Sequence, residues 1–444
     1  MKGESSGLRR MDWVLVAAAA GLVLIGTVAV MSAASPMPRY TQILQRHFLA
    51  LALGALAFVF GTSFNYQIYQ DQARILYGVM IAMMAAVLIV GETVRGHRSW
   101  IHLPYFSFQP SEMARVCTVL VLANYLDRRE KQIERLSTAL GALAIVLPVV
   151  GLIILQPDFS SALIFFPVLA SMLFCAGASL AQLAALTAFG AVTGGLLLLW
   201  TLSSLHPEIE RASAVAAYAV RLSRSGGLLA LTVGGAFAAA YLAYRALLIL
   251  RFRVALVHFV AGAAVLSSAL CAGVLVNRHI KYYQRNRFIS FLAPEADPQE
   301  AGYNVNQALV AIGSGGVSGK GIFSGTQAQL GFLPERHTDF IFAVIGEEMG
   351  FLGAASVLGL YVLLLSRVVR AALAARDRYG YLVCCGIASM FGFYVLVNVG
   401  MCLGLLPVAG IPLPLISYGG SSLVASLWAV GVVSSVHSKR YAFI

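Results

Sequence analysis

The chain has 444 residues, 59% hydrophobic and 11% charged, with a formal net charge of +12. Together with a mean hydropathy of +0.82, this excludes a soluble globular enzyme and leaves no solvated basic domain to hold nucleic acid. It defines an all-α polytopic membrane protein whose positive charge suits basic loops and anionic lipid headgroups.

After the polar start MKGESSGLRRMD, the apolar run from Trp13 to about Met31 is long enough to span a bilayer and is not a cleaved signal. Further spans are expected at His47 to Phe64, Ala73 to Val90, Glu112 to Leu126, Ser137 to Leu155, Ser160 to Ala176 and Leu180 to Leu202. The rest are Gly226 to Ala243, Val254 to Val276, Phe340 to Leu365, Leu382 to Leu406 and Ser421 to Val436, about twelve helices in all. Cys117, Cys175, Cys271, Cys384, Cys385 and Cys402 all fall in apolar runs with neither metal nor disulfide spacing.

Loop charge orients this bundle. With a cytoplasmic N-terminus, Arg128, Arg129, Lys131, Arg135, Arg245, Arg251, Arg253, Arg367, Arg370, Arg376, Arg378, Lys439 and Arg440 lie inside. The short outer loops hold Arg39, Arg46, Arg95, Arg98, Arg211, Arg221 and Arg224. Both termini are then cytoplasmic, and the long polar segment 278–339 lies outside. There it has no ATP to use, so any bond it makes draws its driving force from the substrate.

That segment concentrates ionisable groups of both signs among glycines, as recognition of an anionic substrate requires. Within it Val305, Ala308, Leu309 and Ile312 share one face, which predicts a short helix at the membrane surface. Three shorter polar motifs share the outer side. In GHRSWIHLPYFSFQPSEMAR, Pro110 and Ser111 start a helix that places Glu112 and Arg115 three apart on one face, the pattern of a cap and a local ion pair. QPDFSS is a tight turn in which Asp158 reads as a cap. In GLLPVAGIPLPLISYGGSS the prolines and glycines forbid regular helix from Pro407 to Gly420, so the segment should line a cavity, with Ser417 and Tyr418 as its polar lining.

GSGGVSGKG lacks the P-loop spacing and has Gly321 where Ser or Thr is required. Glu347 and Glu348 fall inside a span, where ionised carboxylates should face the bundle interior, paired or protonated. The histidines show no zinc-ligand spacing, so no dedicated metal site is expected.

GTQAQLGFLPERHTDFIFAVIGEEMGF, ISYGGSS, QPD and FQPSE resemble, in order, the signatures of the SEDS family of RodA, FtsW and SpoVE, which polymerise lipid II into glycan strands. The TQ of GTQAQL and the Arg of PERHTD are closer to the RodA branch, which implies a role in cell-wall elongation and rod shape. The likeness covers nearly the whole chain except about 203–252, read as an inserted helix pair added to a ten-helix core. Arg115 departs from the family, which usually has Lys there.

The resemblance implies a peptidoglycan glycosyltransferase of the bacterial cytoplasmic membrane, working with a class B penicillin-binding protein. Docking faces for that partner are expected on 340–365 and 382–406. The reaction is an inverting displacement in which a sugar hydroxyl attacks the anomeric carbon and polyprenyl pyrophosphate leaves. It needs a carboxylate to accept the proton and cations at the leaving group. Asp297 is the implied base, although by itself it reads as a turn former before Pro298, and Glu295 and Glu300 compete with it. The implied substrate-binding residues are Arg98, Gln109, Ser111, Glu112, Arg115, Asp158, Lys320, Gln327, Arg336, His337, Thr338, Asp339 and Ser417. A divalent cation, Mg or Mn, on the pyrophosphate is the one cofactor this chemistry accommodates. The alternative function is a lipid II flippase, in which intramembrane acids and broken helices would serve transport.

Overall fold

The structure, a computed structural model, describes residues 11–94, 97–102, 106–252, 254–279, 285, 289 and 301–440. The chain divides into two compact units, 1–178 with 304–444 and 179–303. The first unit begins with α1 (Trp13–Ala34), α2 (Tyr40–Ser63), α3 (Gln67–Asp71) and α4 (Ala73–Val90). After a small sheet come α5 (Pro110–Arg128), α6 (Leu136–Leu155), α7 (Phe159–Leu163) and α8 (Phe165–Ala176). The second unit holds α9 (Leu180–Leu205), α10 (Pro207–Ala212), α11 (Ala214–Arg224), α12 (Gly226–Ile249) and α13 (Leu256–His279). The chain then continues with α14 (Ala301–Ser314), α15 (Thr326–Gln329), α16 (Ile341–Leu373), α17 (Arg378–Cys402) and α18 (Gly420–Ser438).

Every expected span falls on a helix, and ten helices among the described residues are long and apolar enough to cross a membrane. The expected spans 112–126 and 160–176 fall on α5 and on the pair α7 and α8, which are outside those ten. α5 carries Glu112, Arg115, Asp127 and Arg128, yet it is buried almost throughout from Ser111 to Leu126, so it needs no apolar face toward lipid. It packs among α4, α6, α8, α17 and α18 and forms the centre of the first unit.

Close packing follows from small residues. A Cβ on Gly431 would lie 2.5 Å from Phe58 O, and one on Gly61 would lie 3.0 Å from Trp428 O, so α2 and α18 meet nearly backbone to backbone. Within this all-α fold the one small feature in strand form among the described residues is an antiparallel sheet of β1 (Glu92–Val94), β2 (His97–His102) and β3 (Ser107–Phe108). It pairs Glu92 with Trp100 and Ile101 with Phe108. β1 and β3 are too short for an alternation to show in the sequence, and β2, HRSWIH, carries no strict alternation.

The helix expected around Val305 is α14. Val305 and Ala308 are buried as expected, but Ala311 joins them and Leu309 is 41% exposed, so the packed face is rotated toward the small residues. The second unit has its own core. Leu197 and Trp200 of α9 meet Ala219, Val220 and Leu222 of α11 and Leu270 and Val274 of α13. Trp200 Nε1 donates to Ala219 O at 2.7 Å.

Candidate active site

Three polar clusters, all in the first unit, collect most of the expected site residues. The first is built where α5 starts. Pro110 occupies the first turn, as its missing N–H allows, and Gln109 N donates to Ser421 Oγ of α18 at 2.8 Å. Arg115 Nη1 lies 2.6 Å from Glu112 Oε2, and Nη2 donates to Ser161 Oγ at 2.7 Å. Ser161 Oγ donates to Asp158 Oδ2 at 2.5 Å, and Gln109 Nε2 donates to the same oxygen at 3.0 Å. Asp158 also caps α7 by accepting Ser161 N at 3.2 Å, as the turn motif predicted. The guanidinium sits 5.0 Å over the Tyr394 ring of α17. Ser111 Oγ is buried with no hydrogen-bond partner among the described residues. Two acids surround one cation here, so Arg115 is already balanced and ties α5 to α7.

The second cluster is the clasp of a glycine-rich loop on a broken helix. α16 is interrupted at Gly350, with φ 64° and ψ −160°. At that break Lys320 N donates to Glu347 O, Gly321 N to Glu348 O, Phe351 N to Gly316 O and Leu352 N to Val317 O, at 2.9 to 3.1 Å. The glycines of GSGGVSGKG therefore serve close backbone approach, since a Cβ on Gly319 would lie 2.1 Å from Glu348 O. Glu347 accepts from Lys320 Nζ at 2.8 Å, Thr326 Oγ1 at 2.9 Å and the backbone amide of Gln327 at 3.0 Å. Glu348 accepts from Ser32 Oγ of α1 at 2.6 Å. Both carboxylates are buried and partnered, as a charge removed from water requires. Lys320, expected as a substrate contact, is engaged by Glu347.

The third cluster joins the loop before α16 to the irregular segment before α18. Ser417 Oγ donates to Thr338 O at 2.6 Å and accepts Leu413 N at 2.7 Å. Tyr418 N donates to His337 O at 2.9 Å, and the two rings are 5.3 Å apart. Asn398 Nδ2 of α17 donates to Asp339 O and Ile411 O at 2.9 and 2.7 Å. The segment from Pro407 to Gly419 is irregular as expected, but Ser417 is 4% exposed and staples two loops together instead of lining a cavity.

Arg336 stands apart from the other cations. It is 8% exposed, and its Nε donates to the uncharged Ala33 O at 2.8 Å. It makes no ion pair among the described residues, where the pairs involve Arg115, Lys320, Arg367 and Arg378. Desolvation lowers its pKa, but a guanidinium stays charged at neutral pH. A buried guanidinium with no ion pair among the described residues has the chemistry of anion recognition.

Asp297, with its competitors Glu295 and Glu300, lies outside the described residues, and Arg98 lies on β2 with its side chain outside them. Sequence reading missed Ser32, Thr326, Tyr394 and Asn398. A polar side chain inside an apolar run was the available signal for Ser32 and Asn398; nothing local marked Tyr394. Among the described residues no group of three or more His, Cys, Asp or Glu could hold a metal ion.

These features define a class, a polytopic helical membrane protein with polar clusters built on glycine-rich and irregular segments. The profile of the Cell cycle protein family FTSW_RODA_SPOVE matches residues 9–224 and 214–442. The chain is 32% identical to the peptidoglycan glycosyltransferase RodA of Treponema pallidum, covering 98% of this chain and 99% of that one. It is 32% identical to the peptidoglycan glycosyltransferase MrdB of Escherichia coli K12, over 89% of this chain and 86% of that one. A chain from a peptidoglycan synthase complex that coordinates polymerization and crosslinking has 31% identity and a TM-score of 0.67, over 97% of this chain and 98% of that one. The crystal structure of Thermus thermophilus RodA has 30% identity and a TM-score of 0.58, over 98% of each chain. The chain belongs to the FtsW, RodA and SpoVE family.

Proposed function

We propose that this protein is a peptidoglycan glycosyltransferase that polymerises lipid II in cell-wall elongation. The observation that carries this is the end-to-end match to relatives named for that activity, at 32% identity over 98% of the chain. The geometry adds Arg336, a buried cation with an uncharged partner, suited to a pyrophosphate leaving group. In the step, Asp297 accepts the proton of the acceptor hydroxyl as its oxygen bonds the anomeric carbon. The bond from that carbon to the pyrophosphate oxygen breaks, and polyprenyl pyrophosphate leaves with its electron pair. A divalent cation would ride on the pyrophosphate and not in a protein cage.

The protein is placed in the bacterial cytoplasmic membrane with both termini inside, as the loop charges suggest. Its partner is a class B penicillin-binding protein, a reading supported by the neighbouring synthase complex. α16 offers the better docking face, exposing Val362, Val369 and Leu373, whereas α17 is buried along most of its length.

The test is glycan polymer formed from lipid II by purified wild type and Asp297→Asn, with Glu295→Gln and Glu300→Gln as controls. Asp297→Asn is expected to lower polymerisation by roughly 10² to 10⁴-fold. Undiminished polymerisation by a folded Asp297→Asn variant would overturn this assignment, and no polymer from wild type combined with lipid transport would favour a flippase.

A further inference from the structure

The membrane boundary can be located from two polar cross-links between α1 and α16. At one end Asp12 pairs with Arg367 at 2.7 Å, and at the other Ser32 donates to Glu348 at 2.6 Å. About 19 residues of α16, including the break at Gly350, run between the two cross-links, and along α1 the same two are about 20 residues apart, a separation of about 30 Å at 1.5 Å per residue. That is the thickness of a bilayer hydrocarbon core, and polar pairs at its two edges are where buried charge costs least. Glu348 therefore marks one edge.

Residues just beyond Glu348 on α16 lie inside the hydrocarbon. Phe351 and Leu352 are 68% and 58% exposed, as lipid-facing side chains are. Their amides donate to Gly316 O and Val317 O at 2.9 and 3.1 Å, which holds the glycine-rich loop at their depth. Val317 is 67% exposed, and Ile322 and Phe323 are each 47% exposed. In water this would be an unpartnered apolar surface; at this depth it is continuous with the lipid-facing surface of α16.

Irregular backbone persists at such depth only where its polar groups are satisfied. Here Lys320 N and Gly321 N bond Glu347 O and Glu348 O, Gly319 N bonds Gly315 O, and Ser324 N bonds Gly321 O. Lys320 folds its ammonium onto Glu347 and Thr326.

We propose that Gly315–Phe323 is a membrane-inserted loop, with Val317, Ile322 and Phe323 seated in the boundary between lipid headgroups and acyl chains. The loop thereby anchors the segment that leads to Arg336 against the bilayer. Its occupant is the phospholipid bilayer itself, an assignment independent of the reaction proposed above.

The experiment places a benzophenone-bearing residue at 317 or 323 of the full chain, reconstituted alone in phosphatidylethanolamine and phosphatidylglycerol vesicles. After irradiation, adducts are identified by mass spectrometry. Position 351 is the lipid reference and position 131, exposed in the turn between α5 and α6, the water reference. Lipid adducts are expected at both loop positions at a yield comparable to 351 and at least about tenfold above 131. If a label at 317 prevents folding, 322 replaces it. Yields at the level of 131, or adducts to protein alone, overturn the proposal.

Discussion

Arg115 lies between Glu112 and Ser161, with Nη1 2.6 Å from the carboxylate and Nη2 2.7 Å from the hydroxyl. The Arg115 and Glu112 side chains are 4% and 7% exposed. Removing either partner leaves a buried charge uncompensated, so Arg115→Met and Glu112→Gln should each destabilise by about 3 to 5 kcal/mol. The double variant should lose less than the sum of the two. A thermal-unfolding cycle in detergent measures this, and additive losses would show that the pair is not coupled.

Arg115→Lys keeps the charge beside Glu112 but gives up the planar fork that reaches Ser161 at the same time. Because the charge beside Glu112 is kept, polymerisation should stay within about tenfold of wild type, while the contact to α7 loosens. A loss as deep as that of Arg115→Met would mean that the two-nitrogen bridge itself is required.

Arg336→Gln removes a positive charge that has no carboxylate partner among the described residues, and the amide can still donate to Ala33 O. Stability should therefore change little, whereas kcat/KM for lipid II should fall by roughly 10- to 100-fold. Steady-state kinetics together with a melting curve separate the two effects; a large drop in Tm with unchanged kinetics would assign Arg336 to structure alone.

Gly319 has φ +81°, and a Cβ there would meet Glu348 O at 2.1 Å. Gly319→Ala should thus open the clasp between the loop and the break in α16, at a cost of more than about 2 kcal/mol. Gly313→Ala, where nothing lies within 4 Å, is the comparison and should be tolerated. Equal melting temperatures for the two would show that the clasp is not tight.

Composition and the lengths of the apolar runs determined by themselves that this is a helical membrane protein, and where its long apolar helices lie; the short α10 and α11, in a stretch read as an outer loop, were not legible. A bilayer imposes a length and a polarity that each span must meet from its own residues. Pro110, Asp158 and the break before α18 were legible for the same reason, because caps and prolines act within a few residues. Glu112 and Arg115 were readable as a pair, since three positions on a helix place them on one face. Only the tertiary structure decided that this pair is buried and continues through Ser161 and Asp158, that Ser417 is a staple between loops, and that Lys320 is held by Glu347 while Arg336 has no ion pair among the described residues. The same holds for the depth of the glycine-rich loop, which depends on hydrogen bonds that Gly316 O and Val317 O accept from a helix break more than thirty residues later in the chain. Each of these joins residues far apart in sequence, and the burial that gives them their electrostatic character exists only once the helices have packed.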